Sequence, residues 1–196
     1  GEVKVYQEKV EQATELLDEF GLDAWIVFVR ETAEHTDPVL KVIGELNAVW
    51  PAAFMFHRNG ERIAILGAGD TEAVRVQGLF HDVIGYTLSI KDDLVGVLKK
   101  WDPQSIGVNF SQSDVSADGL TYGMWLNLNK YLQDTPYQER LTSAEEFVEA
   151  LRGRKTQAER AAMRGAIATA HEIFGELTDW LRAGVSEKEI SRFVTK

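Results

Sequence analysis

The sequence has no cysteine in 196 residues, which excludes disulfides, thiolate zinc sites and cysteine nucleophiles. That absence fits a reducing compartment. Positive charge is scarce as well: 21 Lys and Arg face 31 Asp and Glu, for a net charge of −10. A phosphate backbone or an anionic bilayer would be repelled, and no basic run interleaved with aromatics offsets this locally. Nucleic acid and membrane surfaces are therefore set aside as partners. No apolar stretch approaches the length of a membrane span, and the opening "GEVKVYQEKV" has no apolar signal core. A cytoplasmic chain is the expectation. No Gly-x-Ser-x-Gly elbow occurs, and "SQSD" at 111–114 reads as a strand-end turn.

What is present describes an ordinary globular protein, with 44% hydrophobic and 27% charged residues. The length suits one full domain and part of another. Tyr6, Val10, Ala13, Leu17 and Phe20 recur on one helical face, and Gly21 follows as a natural stop. "AWIVFV" (24–29) is continuous and β-branched, as expected of a strand buried on both faces. The polar loop after it can hold one short helix past Pro38. Residues 50–66 read as a hairpin, with Asn59-Gly60 supplying positive φ angles at its turn.

"GDTEAVRVQGLF" predicts a helix and "DVIGY" (82–86) a short strand. Ser89 and Asp92 cap a helix whose stripe is Leu94, Val97, Leu98 and Trp101, ended by Asp102-Pro103. A strand at 105–110 precedes a helix marked by Leu120, Met124, Leu128 and Leu132, and "YQERLTS" suits a last edge strand. This alternation predicts an α/β domain with a mixed β-sheet and helices on both faces.

Near residue 142 the character changes. Ser143 with Glu146, Thr156 with Glu159 and Ser186 with Glu189 each have capping-box spacing. Met163, Ile167, Ala170, Phe174, Leu177 and Leu181 stripe a long helix ended by Gly184, and Ile190, Phe193 and Val194 begin another apolar face. These helices have no strands of their own to cover. A helical C-terminal extension is expected, with the boundary within 151–156, dividing the chain into 1–152 and 153–196.

Candidate chemistry is sparse. Gly67-x-Gly69 suggests a dinucleotide loop, but the third glycine position holds Glu72, and a tight strand-to-helix turn explains both glycines without a ligand. "HEIFG" (171–175) starts like a zinc-protease helix yet has Gly175 where a second histidine is needed, so His171 reads as a surface or interface residue. His57 and His81 look structural. Arg30, Glu31, Glu34, His35 and Asp37 crowd the loop after the first buried strand, where sites tend to be built, although the same residues read as a solvated polar loop. No complete catalytic constellation emerges.

The passage "SAEEFVEALRGRKTQAERAAMRGAIATAHEIF", followed by "LRAGVSEKEISRFV", resembles the step from N-terminal to catalytic domain in the creatinase, prolidase and Xaa-Pro aminopeptidase family, the pita-bread metallohydrolases. Arg152, Lys155 and Glu159 match its Arg-x-x-Lys-x-x-x-Glu entry. Gly184, Ser186, Glu187, Glu189 and Ile190 match its later Gly-x-(Ser/Thr)-Glu-x-Glu-(Ile/Leu) step. "YQEKVEQATELLDEFGLDAWIVF" and "IGVNFSQSDVSADGLTYGM" are similar to the opening helix and strand, and to a late strand and helix, of the N-terminal domain.

The resemblance implies a creatinase/prolidase N-terminal domain with a ribonuclease H-like motif, followed by the first helices of a catalytic domain whose remainder is missing. Two divalent metal ions (Mn, Co or Zn) are implied for the full-length parent, bridged by two aspartates, a histidine and two glutamates beyond Lys196. This chain is expected to hold no metal or cofactor and to hydrolyse nothing by itself. A homodimer is implied, with a loop of one N-terminal domain reaching the neighbour's active site and its peptide substrate. Arg30, His35, Asp37 and Trp50, in the loop at the matching place, are the candidates for that contact in trans: a guanidinium or imidazole for a peptide carboxylate, an indole to stack on a proline ring. The alternative is a free-standing α/β interaction or regulatory module whose last helices dock on a partner.

Overall fold

The run at 24–29 becomes β1 (Ala24–Val29), with every residue buried. On one side it pairs antiparallel with β2 (Ala52–His57), on the other parallel with β5 (Ile106–Val108). β3 (Arg62–Gly67) runs antiparallel to β2, β4 (Asp82–Tyr86) parallel to β3, and β6 (Leu141–Ser143) parallel to β5. The order β4-β3-β2-β1-β5-β6 contains a ribonuclease H-like core, β3-β2-β1-β5-β6 with only β2 reversed, and β4 and β6 are the edges. The computed structural model describes residues 1–181 and 186–194.

Alternation along the strands divides the core in two. Trp25, Val27, Val29, Phe54 and Phe56 face a layer made with α1 (Glu2–Glu19), α2 (Leu40–Ile43) and α6 (Glu145–Gly153). Ile26, Phe28, Met55, Ile63 and Ile65 face α4 (Lys91–Trp101) and α5 (Tyr122–Tyr131) through Leu94, Leu98, Met124 and Leu128. Trp25 lies at the centre of the first layer, its ring 4.9 Å from that of Phe56 and 4.8 Å, edge-on, from Phe147. The short helix expected past Pro38 is α2.

Local chemistry sets the ends. α1 closes through Gly21, whose φ of 68° lets Leu22 N–H reach the Leu17 carbonyl (2.9 Å) and Gly21 N–H the Asp18 carbonyl (3.2 Å), a Schellman stop. At the hairpin only Gly60 has positive φ (101°), while His57 N–H bonds the Glu61 carbonyl at 2.9 Å. The turn is therefore a three-residue loop with glycine at its last position, rather than one with positive φ at both Asn59 and Gly60. The helix expected over "GDTEAVRVQGLF" is shorter: a 3-10 turn at Ala68–Asp70, then α3 (Thr71–Arg75), with Gly78 (φ 68°) turning the chain away. Ser143 does not form a box with Glu146. Its hydroxyl accepts the Glu145 N–H and donates to the Phe110 carbonyl, tying α6 to the end of β5.

The carboxyl end of α6 is held by a buried lysine. Lys9, 1% exposed, donates from Nζ to the carbonyls of Leu151 (2.7 Å) and Arg154 (3.2 Å) and to Gln12 Oε1 (2.8 Å). It thereby satisfies acceptors that a helix end leaves unbonded. Arg154 adds a two-pronged pair with Glu19, at 2.6 and 2.8 Å, which holds the Glu19 carboxyl below its usual range.

Contacts divide the chain into two units, Glu2–Thr156 and the residues from Gln157 onward. In the second, α7 (Gln157–Leu181) buries only Ala158, and its stripe is open, with Met163, Ile167 and Phe174 exposed. α8 (Glu187–Val194) starts on half of its box: the Glu189 carboxylate accepts from the Ser186 N–H (2.8 Å) and hydroxyl (2.7 Å). Those bonds lower the Glu189 carboxyl's affinity for a proton. Gly184 lies outside the described residues.

Replacing Trp25 with Ala is expected to cost about 3–5 kcal/mol, read as a lowered urea midpoint. Lys9→Met, which strands the Leu151 and Arg154 carbonyls, should cost about 1–3 kcal/mol in the same assay.

Candidate functional site

β1 delivers Arg30 to the carboxyl end of the sheet, and the next residue breaks the strand. Glu31 has φ 44°, a left-handed conformation disfavoured for a residue with a side chain. It is held there by three backbone bonds: Glu31 N–H to the Val49 carbonyl (3.0 Å), and Glu34 and His35 N–H to the Glu31 carbonyl (2.9 and 3.1 Å). Thr32 bonds Ala48 through both backbone and hydroxyl, so the two limbs of the loop are paired.

The far end of the loop is anchored by Asp37, only 1% exposed. Its Oδ1 accepts the Val39 N–H (3.0 Å) and its Oδ2 accepts from Asn109 Nδ2 (2.9 Å), while Asn109 Oδ1 takes the Trp25 indole N–H (2.8 Å). Gly119 lies against the carboxyl so closely that a Cβ there would sit 2.0 Å from Asp37 Cγ. Burial pushes the Asp37 carboxyl above its usual range, against the two hydrogen bonds and the more distant Arg152 charge that favour ionisation.

Above this floor opens a cleft of about 300 Å³, walled by Arg30, Glu31, Glu34 and His35 on the loop and by Thr121, Gly123 and Met124 at the start of α5. Thr121 caps α5, its hydroxyl accepting the Met124 N–H at 3.3 Å. Arg30 Nη2 lies 3.3 Å from where a Cβ on Gly123 would stand. The fold thus brings Arg30, His35 and Asp37 to one cleft, Asp37 as its internal anchor. Trp50 is placed apart: half-exposed, its ring against Gly67 and 6.2 Å from that of Tyr86, it lines a second depression with Leu88 and Tyr131. Asn109, Gly119 and Gly123 were not singled out by sequence reasoning. The only signal for the two glycines is the run "DGLTYG", which reads equally well as a helix approach, and Asn109 has none for this role.

Other sequence candidates have structural uses. A Cβ on Gly67 would lie 2.8 Å from Trp50 Cε3, so this glycine makes room for a ring. His57 Nδ1 accepts the Asn59 N–H and His81 Nδ1 the Arg62 N–H, both at 3.0 Å. His171 is exposed on α7. Among the described residues no group of three or more His, Asp or Glu is placed to hold a metal ion, so the residues present do not fit a dinuclear centre. No helix among them is long and apolar enough to cross a membrane.

Because the folded-state value for Asp37 is raised, its contribution to stability is complete below the ordinary carboxylate range, near 3.8, and is lost as pH climbs through the raised value. Asp37→Asn is expected to flatten that part of the stability-versus-pH curve. Urea midpoints taken across the acid range measure it; identical slopes for the two proteins would contradict the burial argument.

No protein-family profile and no curated protein matches the sequence. Solved structures do match. An Xaa-Pro dipeptidase from Bacillus anthracis is 22% identical over 96% of this chain and 47% of its own, with a TM-score of 0.58. An X-Pro aminopeptidase from Thermotoga maritima is 18% identical over 95% of this chain and 47% of its own, with a TM-score of 0.59. The N-terminal domain of an Xaa-Pro dipeptidase from Lactobacillus brevis is 15% identical over 72% of this chain and 98% of its own, with a TM-score of 0.50. The chain thus spans about half the length of the dipeptidase and the aminopeptidase. It has the fold seen in solved Xaa-Pro peptidases and in an isolated N-terminal domain of one of them.

Proposed function

We propose that residues 1–152 are the non-catalytic N-terminal domain of a cytoplasmic, dinuclear metal-dependent Xaa-Pro peptidase, and residues 153–196 the first helices of its catalytic domain. The observation that carries this reading is the sheet itself: its strand order, and its match to an isolated N-terminal domain over 98% of that domain's length. The uncovered stripe of α7 supports it, since an apolar face of that length suits the core of a larger domain. The metal pair would be held by residues of that larger domain.

In this reading the domain supports dimerisation and closes the neighbouring subunit's substrate site. Arg30 and His35 would contact the peptide there, Asp37 would set the loop that carries them, and Trp50 would offer a ring from its separate depression. Supporting this are the exposure of Arg30 and His35 and the rigid pairing of their loop.

The test is kinetic. In the complete enzyme, replacing Arg30 and His35 together with Ala is expected to raise KM about tenfold or to change peptide-length preference, the size of a lost charge-assisted hydrogen bond. Unchanged kinetics would remove the contact in trans. A complete gene lacking two aspartates, a histidine and two glutamates downstream would favour the free-standing module instead.

A further inference from the structure

The cleft between the loop and α5 carries a charge arrangement that contact with a neighbouring subunit does not require. Arg30 and His35 share it with Glu31 and Glu34, yet among the described residues none of these four side chains makes a hydrogen bond or ion pair. Their full hydrogen-bonding capacity is available to a ligand. In an ordinary strand, neighbours such as Arg30 and Glu31 point to opposite faces. The left-handed backbone of Glu31 breaks that alternation, so both line one cavity. Such strain persists only where surrounding bonds enforce it, and here the Val49, Glu34 and His35 backbones do so.

A purely anionic ligand would meet Glu31 and Glu34, and a purely cationic one would meet Arg30. A molecule with both charges close together satisfies both sets. Gly123, the second residue of α5, has no side chain to keep Arg30 Nη2 away from the helix start, where Thr121 already takes the Met124 N–H and the Tyr122 and Gly123 amides have no intrahelical acceptor. Arg30 beside the helix start therefore favours a carboxylate, and the two glutamates favour an ammonium. Phe28 and Met124 border the cleft from the core and are each only 2% exposed, so its open surface is mainly polar, and about 300 Å³ is the lower end of the range for small-molecule sites.

We propose that this cleft binds a free α-amino acid as its zwitterion, with the carboxylate on Arg30 and the ammonium on Glu31 and Glu34. The site belongs to this chain alone. It shares Arg30 and His35 with the function proposed above but needs neither a neighbouring subunit nor a metal centre, so the two readings fail separately.

Amide NMR spectra of the 196-residue chain, titrated with L-leucine, test it. Saturable shifts are expected in 30–35 and 121–124, in the millimolar range typical of a small solvent-open site. Isoamylamine and 4-methylpentanoate, which each keep one of leucine's charges, should bind at least about tenfold more weakly, and Arg30→Gln and Glu34→Gln should each lose about tenfold. The variants' own spectra establish that they remain folded. Absence of saturable shifts overturns the proposal. So does 4-methylpentanoate binding as tightly as L-leucine, because the site would then read only an anion.

Discussion

Asn109 joins two parts of the protein that would otherwise be independent. Its carbonyl oxygen takes the indole N–H of Trp25, at the centre of one core layer, and its amide nitrogen donates to Asp37, at the end of the cleft loop. All three side chains are buried, so each bond stands in a low-dielectric setting where an unpaired partner is costly. The loop position is therefore fixed by the packing of the sheet. A residue that reads as a strand terminus in "SIGVNF" transmits order from core to surface.

How legible this was depends on the range of the interaction. The strands announced themselves because β1 to β3 are buried on both faces and must be continuously apolar. The Gly21 stop and the short helix past Pro38 were equally local and equally readable. Terms set by distant partners were not. Gly67 looks like a phosphate loop until Trp50, seventeen residues earlier, is placed on it. Ser143 has the spacing of a capping box, but Phe110 claims its hydroxyl. The candidate site divides the same way: Arg30, Glu31, Glu34, His35 and Asp37 are neighbours in sequence and could be grouped by eye. Gly119, Thr121 and Gly123 join them only because α5 packs beside the end of β1.

The buried lysine of α1 illustrates a different limit. Lys9 lies in a pattern, "QEKVEQ", that any solvent-facing helix could contain. Its burial is explained by the acceptors at the end of α6, 142 residues away in sequence. With the Glu19–Arg154 pair it makes the first helix of the chain the binding partner of the last residues of the first unit. Chain closure of this kind ties the first and last helices of this unit together, in addition to the apolar core.

The outermost strand bears on how the protein behaves in a crowded solution. β4 begins with an exposed aspartate, Asp82, and carries a glycine, Gly85, into whose space Thr71 and Ala68 press. Arg75 reaches toward the Val83 carbonyl, at 3.5 Å, on the same strand. Charge, a weak strand former and a covering side chain are all deterrents to further strand addition. Growth of the sheet into a fibril or an edge-to-edge aggregate is discouraged at the β4 edge, which keeps a domain with so apolar an interior from extending its sheet there.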